Sequence, residues 1–143
     1  MMKTSSKGIE LIKFHEGFSD KAYLCPAGVW TIGYGHTGGV ESGDVVTVAQ
    51  ATELLRADLA HAESVVNAQK LKLNQNQFDA LASFVFNVGS GNFQKSTLLR
   101  VVRNNPGDLR IKAEFDRWIY AGGKVLPGLV RRRKDESNLY FKK

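Results

Sequence analysis

Three side chains able to do acid–base or nucleophilic work follow one another in "HEGFSDKAYLCPAGVWT": a carboxyl at Glu16, the chain's one thiol at Cys25 and a hydroxyl at Thr31. A carboxyl that keeps its proton is a general acid, a thiolate is a base or a nucleophile, and a hydroxyl can orient a water. Glu16 closes an apolar helical stripe and precedes Gly17. The expectation is partial desolvation, which favours a carboxyl still protonated near neutral pH. An exposed helix-end glutamate is the competing reading, because charged residues mostly lie at the surface. Cys25 also has two readings: a buried apolar filler, as free cysteines often are, or a strand end, since Pro26 and Gly28 follow it. His15 and His36 are near enough in sequence to raise a thiol–imidazole pair.

Other chemistries drop out on spacing. The run "GYGHTGG" lacks both the Lys-Ser/Thr ending of a phosphate-binding loop and the spacing of a dinucleotide fingerprint. The histidines at 15, 36 and 61 show no HExxH or similar zinc spacing, so no metal site is expected and each reads as structural or superficial. A lone cysteine excludes an internal disulfide and suits a chain made in a reducing cytosol.

Elements must carry these groups to one place. Ser6 can cap a first helix on which Ile9, Ile12 and Glu16 recur at helical spacing until Gly17 stops it. "KAYL" and "VWTIGYGHTGG" are aromatic and β-branched, broken by Pro26 and several glycines, which predicts short antiparallel strands with tight turns. Thr47 with Gln50 forms a capping box before a long helix reaching about Gln69, its apolar face traced by Leu55, Leu59, Ala62 and Val66. Asn74 with Gln77 opens another, closed by "NVGSGN". Further helices are expected over Ser96 to Asn104, from Asp108 through Tyr120, and from Leu129 to Phe141, with "AGGKVLPG" as a loop. The layout is α+β, with a small antiparallel β region near the N-terminus and a long helix shared by two lobes that leave a cleft.

At 143 residues the chain fits one domain able to bury a real core. Its start carries no apolar run of signal-peptide length, and no segment approaches the roughly 18 apolar residues of a membrane span, so a soluble product is expected. Lys plus Arg number 20 against 14 Asp plus Glu, a formal charge of +6 concentrated in "LVRRRKDESNLYFKK". That run reads either as the solvated face of a terminal helix or as a surface for an anionic partner: nucleic acid, membrane or bacterial wall. No helix-turn-helix, zinc finger or RNP-like run supports nucleic acid.

With these residues in hand, the chain resembles the phage-type lysozymes, the endolysin muramidases of glycoside hydrolase family 24. "HEG" followed by "AYLCPAGVWTIGYGHTG" fits the family motif of Glu, eight residues, Asp or Cys, five residues, Thr, on Glu16, Cys25 and Thr31. The likeness continues through "LNQNQFDALASFVFNVGSGNF", "STLLR", "RWIYAGGKVLPGL" and "RRKDESNL", nearly the whole chain in order.

The resemblance implies a two-lobed lysozyme fold in a single catalytic domain over 1–143. A β-containing lobe would span about 15–47, a connecting helix about 48–69, and a helical lobe 70–143 packed with the N-terminal helix. The implied reaction is hydrolysis of the β-1,4 bond between N-acetylmuramic acid and N-acetylglucosamine in peptidoglycan. Glu16 would be the general acid, with Cys25 and Thr31 holding or activating water on the opposite face, and no cofactor is required. Asn87 and Trp118 match cleft-lining positions and Arg132 an arginine near the catalytic acid; His36 with Asp58 would be a structural pair. The implied setting is a monomer kept in the cytoplasm until a holin-type pore opens the membrane, then acting at the wall or periplasm, with no membrane insertion and no nucleic-acid partner. Cysteine in place of the commoner Asp at position 25 breaks the paired-carboxylate rule, and a covalent thiol nucleophile would give retention instead of inversion. A lytic transglycosylase and a non-catalytic wall-binding protein are the alternatives.

Overall fold

Side-chain caps open three of the seven helices in the computed structural model, which describes residues 1–143. Helix α1 runs Ser6–Glu16 and stops at Gly17, whose φ of +76° is left-handed. Its N-cap is Ser5, one residue before the expected Ser6, and the Ser5 hydroxyl is turned away from the helix to the carboxylate of Asp79. Strands β1 (Ser19–Leu24) and β2 (Trp30–Gly33) pair antiparallel, with Tyr23 opposite Thr31 and Leu24 opposite Trp30. The turn between them is closed by Cys25 N donating to Val29 O at 3.0 Å and Gly28 N donating to Cys25 O at 2.8 Å.

Both capping boxes form. Thr47 and Gln50 open α2 (Val48–Ala68), and Asn74 and Gln77 open α3 (Gln75–Val88). Two short helices follow. The glycine-rich close of α3 leads into α4 (Ser90–Lys95), which composition did not predict, and Ser96 caps α5 (Thr97–Asn104). Helix α6 covers only Arg110–Asp116 and not the expected reach to Tyr120. The chain beyond it turns back on itself: Leu126 N donates to Ile119 O, and β3 (Tyr120–Ala121) pairs with β4 (Lys124–Val125). The expected loop is therefore a hairpin, because Gly122 and Gly123 both adopt positive φ, the backbone a two-residue hairpin turn demands. Helix α7 spans Pro127–Tyr140, starting two residues before the expected Leu129 because proline is well suited to the first helical position.

Two apolar clusters lie along α2, and this makes the molecule two-lobed. The smaller joins Ile9 and Ile12 of α1 to Tyr34 and to Ala51, Leu55 and Leu59 of α2. The larger gathers Ala62, Val65 and Val66 with α3 and the later helices around Phe78, Leu81, Phe84 and Phe115. A 21-residue helix at 1.5 Å per residue is about 31 Å long, enough to serve both. Phe84 sits centrally in the larger cluster, edge-on to Phe93, Phe115 and Trp118.

The N-terminal segment is tied to the helical lobe through side-chain acceptors, one half-buried and one buried. Thr4 N donates to Glu63 at 2.8 Å and Ser5 N to Asp79 at 3.0 Å. Helix α1 approaches α3 so closely that a Cβ on Gly8 would meet Thr4 at 2.6 Å and the Asp79 side chain at 2.8 Å. Gly8→Ala is therefore expected to destabilise the protein by about 1–3 kcal/mol through overpacking. A lowered denaturant midpoint at unchanged slope is the measurement, and an unshifted midpoint would refute the tight packing.

Candidate active site

Glu16 is the last residue of α1, so the helix exit aims its side chain off the packed stripe of Ile9 and Ile12 and into a cavity of about 620 Å³. Phe14, Asn87, Leu126, Arg131 and Arg132 share that cavity. The Glu16 side chain keeps 22% of its exposure, the partial desolvation that its place at the helix exit predicts. Its Oε2 accepts from Arg132 Nη1 at 2.6 Å. Its Oε1 lies against the chain at Gly35, where a Cβ would stand 3.3 Å away, and Gly35 has a φ of +86°. One carboxyl oxygen is thereby fixed by an arginine, while no hydrogen bond engages the other.

Arg132 and its neighbour are interior. The charge run of α7 is split: Arg131 and Lys134 stay exposed, as a solvated face would, whereas Arg132 is 4% exposed and Arg133 is fully buried. Between them lies Glu136, also fully buried. Its Oε2 accepts from Ser83 Oγ at 2.5 Å and from Arg132 Nε at 3.2 Å. Arg133 Nη2 donates to Asn87 Oδ1 at 2.6 Å and Nη1 to the Trp118 carbonyl at 3.5 Å. Burial pushes the Glu136 carboxyl up from the usual carboxylate range, and Arg133 and Arg132 pull it back. Arg133, Glu136 and Ser83 were not singled out from sequence. The signal available was the spacing of Arg132 and Arg133 four and three residues before Glu136, which puts all three on one helix face.

Cys25 and Thr31 come together at the β1–β2 turn. Cys25 is partly exposed, and Thr31 is 4% exposed with its hydroxyl donating to Val29 O at 3.0 Å. The backbone N–H groups of Val29 and Ala27 face the thiol and, with the Thr31 hydroxyl, lower its pKa and favour the thiolate. This is a strand end, not an apolar core position. No hydrogen bond joins Glu16 to Cys25 or Thr31. Neither histidine is bonded to the thiol: His15 Nε2 meets Asp135 at 2.8 Å, and His36 Nδ1 meets Asp58 at 2.8 Å. His36 Nε2 also lies 2.8 Å from Gly38 O, so this ring ties the turn after β2 to α2. Trp118 does not line the cavity of Glu16. It borders a neighbouring cavity of about 420 Å³, which shares Asn87, Leu126 and Leu129 with the first.

These groups are a carboxyl opposed to an arginine in the cavity and, at the β turn and outside the residues lining that cavity, a thiol–hydroxyl pair able to hold a water. Such a site can protonate a leaving oxygen and deliver water to an acetal carbon.

Comparison with known proteins bears on which acetal. The family model described as phage lysozyme matches residues 13–136. The chain is 48% identical to the endolysin of Acyrthosiphon pisum secondary endosymbiont phage 1, an alignment covering 97% of this chain and 98% of that one. It is 40% identical to the endolysin of Salmonella phage P22, over 96% of this chain and 97% of the relative. Among solved structures, the muramidase domain of SpmX from Asticaccaulis excentricus matches with a TM-score of 0.91 at 40% identity, over the whole of both chains.

Proposed function

Because this chain belongs to the phage lysozyme family, we propose that Glu16 supplies the proton of its reaction and that Cys25 and Thr31 supply the water. The protein is a peptidoglycan-hydrolysing muramidase, an endolysin-type lysozyme with a lysozyme-like α+β fold. The bond cut is the β-1,4 link between N-acetylmuramic acid and N-acetylglucosamine.

The observation that carries this reading is the state of Glu16: one oxygen held by Arg132, the other free of hydrogen bonds, inside a cavity large enough for sugar. Glu16 protonates the glycosidic oxygen as the bond to the leaving sugar breaks. The Cys25 sulfur, whose pKa the backbone N–H groups of Val29 and Ala27 lower, takes a proton from a water that the Thr31 hydroxyl orients. Attack from the face opposite the leaving group inverts the anomeric centre. Asn87 and Trp118 bind the saccharide chain along the linked cavities, Arg132 holds the acid, and His36 with Asp58 keeps the glycine turn beside Glu16 in place.

Mass spectrometry of digested peptidoglycan tests the reaction type. Free reducing ends are expected; anhydro ends would mean a lytic transglycosylase, and no soluble product a binding protein.

The same reading keeps the enzyme, as a monomer, in the cytoplasm of the producing cell until a holin-type pore admits it to the wall. No helix is long and apolar enough to cross a membrane, and the charge of +6 favours an anionic wall once it is reached. Expression alone is expected to leave cells intact, whereas co-expression with a pore protein lyses them. Lysis without any pore or membrane-disrupting agent would contradict the dependence.

A further inference from the structure

We propose that Glu136, which never reaches the cavity, is a positioning residue for the reaction: through two arginines its single carboxylate fixes Glu16 on one side and Asn87 on the other. The inference rests on Glu16 being the acid.

Guanidinium groups are planar and rigid, so anchoring two nitrogens of an arginine fixes where the third points. In Arg132, Nε donates to Glu136 Oε2 at 3.2 Å, and Nη2 lies 3.3 Å from both the carbonyl and the hydroxyl of Ser83. Only Nη1 is left, and it is the donor aimed at Glu16. Arg133 repeats the arrangement in the other direction. Its Nε lies 2.9 Å from Glu136 Oε1, off the line of a hydrogen bond, and its Nη2 lies 3.4 Å from Oε2 while bonding Asn87 at 2.6 Å. Phe84 lies against one face of that guanidinium, its ring centre 5.1 Å away.

Charge counting makes the dependence sharper. Arg132 and Arg133 are two interior cations, and the acidic groups bonded to them are Glu16 and Glu136. A buried cation needs a paired anion to be tolerated. With Glu136 neutral, both arginines would compete for Glu16, and neither would keep its present direction. Glu136 thus differs from an ordinary internal ion pair: its partners' free ends are cavity groups, one on the proton donor and one on a sugar-binding amide.

The test measures kcat and KM on soluble glycan strands, together with thermal unfolding, for Glu136→Gln and Glu136→Asp. Glutamine keeps the shape and an acceptor oxygen but drops the charge. Its kcat is expected to fall by about tenfold or more, since small misplacements of a catalytic group cost that much, and its KM to rise through Asn87. Aspartate restores the charge and is expected to recover part of the lost kcat. A Glu136→Gln enzyme with a lowered melting temperature but unchanged kcat and KM would reduce Glu136 to a packing role and overturn the proposal.

Should Glu136→Gln not fold, the paired variant Glu136→Gln, Arg133→Met removes one buried anion and one buried cation together. It still leaves Arg132 without its anionic anchor, so lowered kcat is expected, and kinetics like the unmodified enzyme's would overturn the proposal. Glu16→Gln on the same substrate is judged separately: full turnover there would remove the acid assignment itself, whatever Glu136 does.

Discussion

Glu16→Gln is expected to lower turnover by about 10²- to 10⁴-fold, the usual contribution of a positioned general acid, while leaving the fold and the affinity for cell wall intact. The amide matches the carboxyl in size, and its oxygen can still accept from Arg132, so the geometry at the exit of α1 is preserved. What it lacks is a proton to give. Arg132 keeps an anionic partner in Glu136, now shared with Arg133 alone, so the fold is expected to hold at some cost in stability. Release of soluble fragments from labelled peptidoglycan measures the loss, and co-sedimentation with intact walls measures the binding. Near-normal release would take Glu16 out of the mechanism.

The Cys25 variants come next in size. If the thiol is the water's base, Cys25→Ala should be folded but poor in turnover, and alkylation should inhibit, since the side chain is partly exposed and its thiolate favoured. Cys25→Asp should be active with a shifted profile. In the native enzyme the base is competent above the thiol's lowered pKa and lost as pH falls through it. An Asp titrating near its ordinary value of about 3.9 would carry activity further into acid. The anomeric form of the first product separates base from nucleophile: inversion for a water attack, retention through a thioglycosyl adduct for a covalent one. A stable, fully active Cys25→Ala enzyme would end the water-activation role, and a β-configured first product would assign the nucleophile.

Local chemistry was legible in the sequence, and burial was not. The two capping boxes and the stop at Gly17 act within four residues and need nothing from the rest of the chain, so each could be read directly. The β3–β4 hairpin was missed because its strands are two residues long and show no alternation, although its two adjacent glycines are the turn's own signature. Helix α4, six residues long, is too short for any periodic pattern to register. For the site, Glu16, Cys25 and Thr31 stood out because their types and spacing match a known motif. Arg133 and Glu136 did not, because a basic run looks solvated until α3 and α6 cover it, and those helices lie far away in sequence. Gly35 was similarly hidden: its closeness to Glu16 comes from α1 packing against the turn after β2, not from either segment alone.

The bond between Glu16 and Arg132 joins positions 116 residues apart, and His15 to Asp135 spans 120. A ribosome has therefore made and released the acid long before the residue that holds it exists, and α1 can only wait, docked or fraying, until α7 emerges. Contacts of such separation form late and slowly compared with helical ones. A chain stalled between β2 and α7 carries the acid and the thiol but not the arginine that aims the acid. Products cut short before α7 are in this way expected to be unarmed, and lytic competence waits on the synthesis of that one helix.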